Sequence, residues 1–287
     1  MTTRIAWIQS RYQGTVESTH RHYLAEAQKL ADQGVDLLVL PELFTTRYFC
    51  ISQDSDNFDL AITTDHPHLA DWREMARTLN CVIVYSFFEK RADGLYHNTA
   101  CVIERDGSTA GIYRKGHIPD DPGFNEKYYF SPGDTGFHPI ATSAGVLGVL
   151  ICWDQWFPEA ARAMCLRGAQ ILIYPTAIAW DAQEPDDIKP TQCDAWITVM
   201  RGHAIANNVY AMAVNRIGDE GHLTFWGNSF LCRPDGSLQA HQDHTDDGPE
   251  WSVADFAQTE ALRRAWPFFR DRRTDDYGVL LKKWGTP

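Results

Sequence analysis

The apolar residues of this chain gather into short, nearly uninterrupted runs, and that restricts its fold more than any other feature. Ile5–Ile8, Asp36–Leu40, Val82–Phe88, Thr99–Glu104, Ala110–Tyr113, Val146–Ile151, Ile171–Tyr174 and Val209–Val214 read as strands, with Ser229–Cys232 and Trp251–Phe256 after them. A strand solvated on one face alternates in polarity, whereas one covered on both faces, or stacked on a second sheet, does not. Amphipathic segments separate the runs. Thr15–Gln33 places Val16, Tyr23, Leu24, Ala27, Leu30 and Ala31 near one face, and Gly34 supplies a stop. His68–Asn80, Pro158–Arg167 and Gln192–Asn207 are further helices, Pro158–Arg167 with a first-turn proline and Gly168 beyond its end. Asp106-Gly107 and Asp235-Gly236 have the composition of hairpin turns. Strand–helix–strand order combined with hairpins predicts a mixed-sheet, layered α/β sandwich rather than a purely parallel barrel.

No linker, repeat or low-complexity tract interrupts the 287 residues, which read as one domain over 1–287. Two long loops, Gly116–Phe137 and Ala177–Pro190, are expected to be functional. His241–Glu250 reads as a solvated acidic excursion. The C-terminal tail, about 270–287, mixes charges with Tyr277, Leu280, Leu281 and Trp284, and is expected to dock at a subunit interface. With 26 Lys+Arg against 38 Asp+Glu, the net charge of -12 argues against nucleic acid as a partner. No apolar stretch reaches membrane-spanning length, and the N-terminus lacks the apolar core of a signal peptide. The seven cysteines, odd in number and without a C-x-x-C pair, predict free thiols in a reducing, cytoplasmic setting.

Three strand ends carry the chemistry. Glu42 follows DLLVLP, Lys115 follows GIYR and Cys152 follows GVLGVLI. In α/β sheets, ligands bind beyond the carboxyl ends of strands, so these residues are candidates for one rim. Singly, each has a bland explanation: a buried small hydrophobe, a solvated acid, a surface lysine. Together they make a reaction centre. A carboxylate within hydrogen-bond reach can take the thiol proton. An ammonium nearby is expected to lower the thiol pKa and to hold an oxyanion. The Trp153 amide, in the turn after the thiol, is a second oxyanion donor. Glu126, in the loop after Lys115, reads equally as an orienting carboxylate or a solvated glutamate. His117, His203 and His222 are alternative partners for Cys152, without a spacing that favours them. His66-x-His68 lacks the supporting ligands of a metal site, so neither metal nor cofactor is expected.

With these motifs in order (PELF, YRKGHIPDDPGFNEKYYF and GVLICWDQWFPEAAR) the chain resembles the nitrilase superfamily of carbon–nitrogen hydrolases, from Arg4 to about Tyr277. The resemblance implies an αββα sandwich, a cofactor-free site and a homodimer or higher homo-oligomer. It implies Glu42 as general base, Lys115 as stabiliser of the intermediate, Cys152 as nucleophile and Glu126 as supporting glutamate. CWDQWFPEAARAM, KYYFSPGDTGF, YPTAI and FRDRR are similar to the branch that splits N-carbamoylputrescine into putrescine, ammonia and carbon dioxide. The substrate expected on that basis is a small carbamoyl amine. Tyr48 and Trp153 would line its chain or ureido group, and Asp181, the first acid after YPTA, would meet its distal ammonium. The alternatives are the same chemistry on another N-carbamoyl or ω-amide substrate, such as N-carbamoyl-β-alanine, and a catalytically silent amide-binding protein on this fold.

Overall fold

A computed structural model describes residues 2–285. The chain opens with β1 (Thr2–Gln9), α1 (Val16–Gln28), β2 (Leu37–Val39), α2 (Pro67–Leu79), β3 (Val82–Ala92), β4 (Leu95–Ile103) and β5 (Thr109–Arg114). After a one-turn helix, α3 (Glu126–Tyr129), come β6 (Ile140–Thr142), β7 (Gly145–Val149), α4 (Pro158–Leu166), β8 (Ile171–Pro175) and β9 (Ala179–Asp181). The last third holds α5 (Lys189–Asn207), β10 (Tyr210–Val214), β11 (Ile217–Asp219), β12 (Leu223–Trp226), β13 (Phe230–Cys232), β14 (Leu238–His241), β15 (Gly248–Asp255) and α6 (Ala257–Ala265).

Two six-stranded mixed sheets form, in the orders β15-β1-β2-β3-β4-β5 and β14-β13-β10-β8-β7-β6. Strands β1, β2 and β3 are parallel, as are β7, β8 and β10, while hairpins complete each sheet. The continuous apolar runs follow from this stacking. In β1, Ile5 and Trp7 enter the core shared with Val149, Ile171 and Ile173 of the other sheet. Ala6 and Ile8, pointing the opposite way, pack with Tyr23 and Ala27 of α1 and Leu69, Trp72 and Ala76 of α2. On the other side, Ala160 and Met164 of α4 and Trp196, Met200 and Ala204 of α5 cover the second sheet. The result is the αββα sandwich. Among the described residues, no helix is long and apolar enough to cross a membrane.

Three readings of the sequence need correction. The helix expected over Thr15–Gln33 stops at Gln28, and a separate 3-10 turn, Ala31–Gln33, leads to Gly34 at φ 60°. The Ala177–Pro190 stretch is not all loop: β9 pairs with β12 in a small third sheet, β11-β12-β9. The segment His241–Glu250 is anchored rather than freely solvated. Gln242 is buried and accepts the Trp7 indole N–H at 2.8 Å, Gln9 donates to the carbonyls of Asp243 and Asp246, and Gly248 already pairs with Gln9 in β15.

Candidate active site

Strands β2, β5 and β7 deliver Glu42, Lys115 and Cys152 to the same end of the sandwich. The turn after β2 is tight. Leu43 takes the left-handed conformation (φ 48°), and its N–H donates to Ser86 Oγ at 3.2 Å. Glu42 is thereby turned inward with no exposed surface. Its Oε1 accepts from Lys115 Nζ at 2.8 Å and from Asn98 Nδ2 at 2.6 Å, while Oε2 is buried without a partner. Lys115 Nζ donates a second bond, of 2.7 Å, to Glu126 Oε2. The other oxygen of Glu126 accepts the Tyr48 hydroxyl at 2.9 Å. Glu126 reaches this position because α3 folds its loop back onto the sandwich and buries it.

Cys152 starts a 3-10 turn, Cys152–Trp156, and is itself left-handed at φ 40°. For a non-glycine residue this conformation is strained and persists only where the surroundings enforce it. The Trp153 N–H belongs to the first turn, where backbone donors lack intrahelical partners. The backbone amide of Ala177, beyond β8, acts to lower the thiol pKa.

Two carboxylates and one ammonium are thus enclosed together, and the titration of Lys115 and Glu126 reflects it. Burial by itself would lower Lys115, but Glu126 and Glu42 reverse this and hold it well above the ordinary lysine value. Burial raises Glu126 to about 7, with Glu42 adding to the effect and Lys115 opposing it. The ammonium expected to lower the Cys152 pKa does pull it down, but it is outweighed: burial first and the Glu42 charge second push the thiol well above its usual range. Burial and the Glu42 charge thus favour the neutral form of the Cys152 thiol, so a base would have to take its proton before the sulfur could attack.

Cys152 and Glu126 sit in a cavity of about 670 Å³. Trp153, Trp156 and Trp226 contribute apolar wall. Asp181 lines the cavity, as do Asp121 and Glu184, and among the described residues no lysine or arginine does. Asp181 Oδ1 accepts the Gln183 N–H, while both Glu184 oxygens are engaged, by the Asp181 N–H and Gln192 Nε2. Tyr48 does not line the cavity. Its ring is held between Phe124 and Phe225, and it reaches the site only through Glu126. The alternative histidines are engaged elsewhere. His117 Nδ1 bonds Asp154, His203 Nε2 donates to the Gln155 carbonyl, and His222 is exposed. Asn98 escapes the sequence reading. Its signal was a polar residue opening an otherwise apolar strand stretch, NTACVI.

Residues 4–263 match the carbon-nitrogen hydrolase family. An N-carbamoylputrescine amidase from Arabidopsis thaliana is 44% identical over 271 residues, covering 90% of this chain and 89% of the relative. A citrullinase from Francisella tularensis is 43% identical over 260 residues, covering 88% and 89%. The crystal structure of a carbon-nitrogen hydrolase from Helicobacter pylori G27, 43% identical, superposes with a TM-score of 0.96 over 99% of this chain and 100% of that one.

Proposed function

The chain belongs to the carbon–nitrogen hydrolase family, and on that footing we propose that it is a cysteine amidohydrolase cleaving N-carbamoylputrescine to putrescine, carbon dioxide and ammonia. The observation that carries the substrate is the cavity above Cys152, whose outer charged residues are all acids. A ureido group at the thiol would leave a distal ammonium among Asp121, Asp181 and Glu184, where a carboxylate would be repelled.

In the proposed reaction, Glu42 Oε2, its free oxygen, takes the Cys152 proton as sulfur attacks the ureido carbon. The oxyanion is held by Lys115 and the Trp153 N–H. Glu42 returns the proton to the departing nitrogen, leaving an acylated cysteine. Glu42 then deprotonates a water that attacks this thioester, the thiolate leaves and is reprotonated, and the released carbamic acid breaks down to carbon dioxide and the remaining amine or ammonia. Glu126 keeps Lys115 oriented, and Tyr48 keeps Glu126 oriented.

A second substrate has specific support. The citrullinase relative is as similar as the amidases. Citrulline also carries a ureido group and a distal ammonium, but adds a carboxylate. Measuring kcat/KM for N-carbamoylputrescine, citrulline, N-carbamoyl-β-alanine and uncharged N-carbamoylbutylamine separates these readings. N-carbamoylputrescine is expected to lead and N-carbamoyl-β-alanine to trail. A lead for N-carbamoyl-β-alanine, or equality with the uncharged amine, removes the role of the acids while leaving the cysteine chemistry standing.

The C-terminal segment is proposed to dock on a second copy of the chain. Trp266, Phe268, Val279, Leu280, Leu281 and Trp284 are all exposed, Leu281 at 92%. Apolar groups so concentrated in one segment mark an association surface.

A further inference from the structure

Asp154 is fully buried, and among the described residues no lysine or arginine forms an ion pair with it. Its carboxylate nevertheless accepts four hydrogen bonds. Oδ2 receives the Tyr113 hydroxyl at 2.7 Å and the Ile151 N–H at 3.0 Å. Oδ1 receives the His117 N–H at 2.9 Å and the His117 ring Nδ1 at 2.7 Å.

The placement of these donors gives the carboxylate its meaning. Tyr113 and His117 lie two residues before and two residues after Lys115. Ile151 immediately precedes Cys152, and Asp154 follows it by two. Lys115 arrives on β5 of one sheet and Cys152 on β7 of the other. A single buried carboxylate therefore spans the two sheets and holds the chain on both sides of each reactive residue. The grip is reinforced around His117, whose ring lies parallel to Phe157 at 3.7 Å between centroids and to Phe137 at 5.7 Å. Gly116 N–H also donates to the Tyr113 oxygen at 3.2 Å. At Ile151, the bond to Asp154 fixes the residue from which Cys152 turns into its left-handed conformation.

We propose that Asp154, gripping His117 and Tyr113, is a positioning residue that sets the distance between Lys115 and Cys152 and holds the thiol in its strained turn. It touches no substrate. Its effect falls on the chemical step, and the inference rests on Cys152 being the nucleophile. A displacement of about 1 Å between reacting groups can lower a rate by about 10²-fold.

The test compares Asp154→Asn, Tyr113→Phe and a control, Leu69→Ala, which opens the remote packing of α2. Asp154→Asn should lose about 10²-fold in kcat with KM within about twofold, and Tyr113→Phe, which removes one donor, about 10-fold. Alkylation of Cys152 by iodoacetamide should shift to higher pH in both, because the thiol is no longer held against Lys115. Leu69→Ala should lower Tm by as much or more with kcat unchanged. If Asp154→Asn does not fold, Tyr113→Phe decides alone. The inference is overturned if kcat and the alkylation profile stay at wild-type values in folded variants, or if Leu69→Ala loses kcat in proportion to Tm as they do. If Cys152→Ala also retains turnover, the nucleophile assignment fails; if that variant is dead and the positioning variants are normal, only the role of Asp154 fails.

Discussion

Lys115 and Glu42 are joined by a hydrogen bond of 2.8 Å with neither side chain exposed to solvent. In such a pair, each charge is tolerated only because of the other. Removing one partner strands the other in a low-dielectric interior, at a penalty of about 3–5 kcal/mol.

Glu42→Gln should therefore lower kcat/KM by about 10²–10⁴-fold, through loss of the base. Lys115→Met should lose about 10²–10³-fold, through loss of an oxyanion donor. Both variants should also melt earlier than wild type, Lys115→Met more so, because it leaves two carboxylates facing each other. Steady-state kinetics beside calorimetry checks this. Near-normal turnover in a folded variant removes that residue from the mechanism.

Cys152→Ala should leave the fold intact and reduce hydrolysis to less than a few per cent. Wild-type enzyme quenched during turnover should carry an adduct on Cys152 visible by mass spectrometry. Its mass reports the order of events: a bare S-carbamoyl group if the amine leaves first, an N-alkylated one if ammonia does. Full turnover without any adduct on this residue would point to direct attack by water.

Glu126 gives the protein a pH signature. Its folded pKa is raised from 4.5 to about 7, so folding favours the protonated carboxyl. The associated stability is fully present below about pH 4.5 and is lost as pH rises through 7. Glu126→Gln keeps the neutral shape and removes the titration. Wild-type Tm should fall relative to Glu126→Gln between these pH values, and a constant difference between the two curves would contradict the buried-charge account.

Asp181→Asn should raise KM for N-carbamoylputrescine by about 5–10-fold while leaving N-carbamoylbutylamine unaffected, the modest size reflecting a half-exposed site. Asp121→Asn, at a more exposed position, should do less. Equal effects on charged and uncharged substrates would assign these acids to loop structure alone.

Removing residues 270–287, or placing aspartate at Leu281 and Trp284, should shift the protein toward smaller species in light scattering at micromolar concentration. An unchanged mass would place any association surface elsewhere.

How much of this is legible in the sequence depends on whether a signal is local. Glu42, Lys115 and Cys152 each end an apolar run, and strand ends can be read from the sequence. The sandwich itself is written in runs such as VLGVLI, which need cover on both faces. Tertiary relations are different. Nothing near Asp154 tells that its carboxylate will meet His117 and Tyr113 from another sheet. The nearness of Tyr48 to Glu42 in the chain suggests a place against the substrate's chain or its ureido group, yet it packs behind Glu126. The net direction of the Cys152 shift escapes the sequence for the same reason. An ammonium in the neighbourhood can be anticipated from motifs, but the depth of burial that outweighs it cannot. Strands as short as β9 and β11 carry too few residues for a period of two to register.

The cation-free mouth of the cavity also bears on what happens after the chemistry. On the proposed reading, the substrate enters with one positive charge and the amine product departs with two. A ring of acids suited to the first suits the second better, so putrescine should linger and compete with incoming substrate. Flux would then be throttled by the concentration of the enzyme's own diamine, a feedback that requires no separate regulatory site.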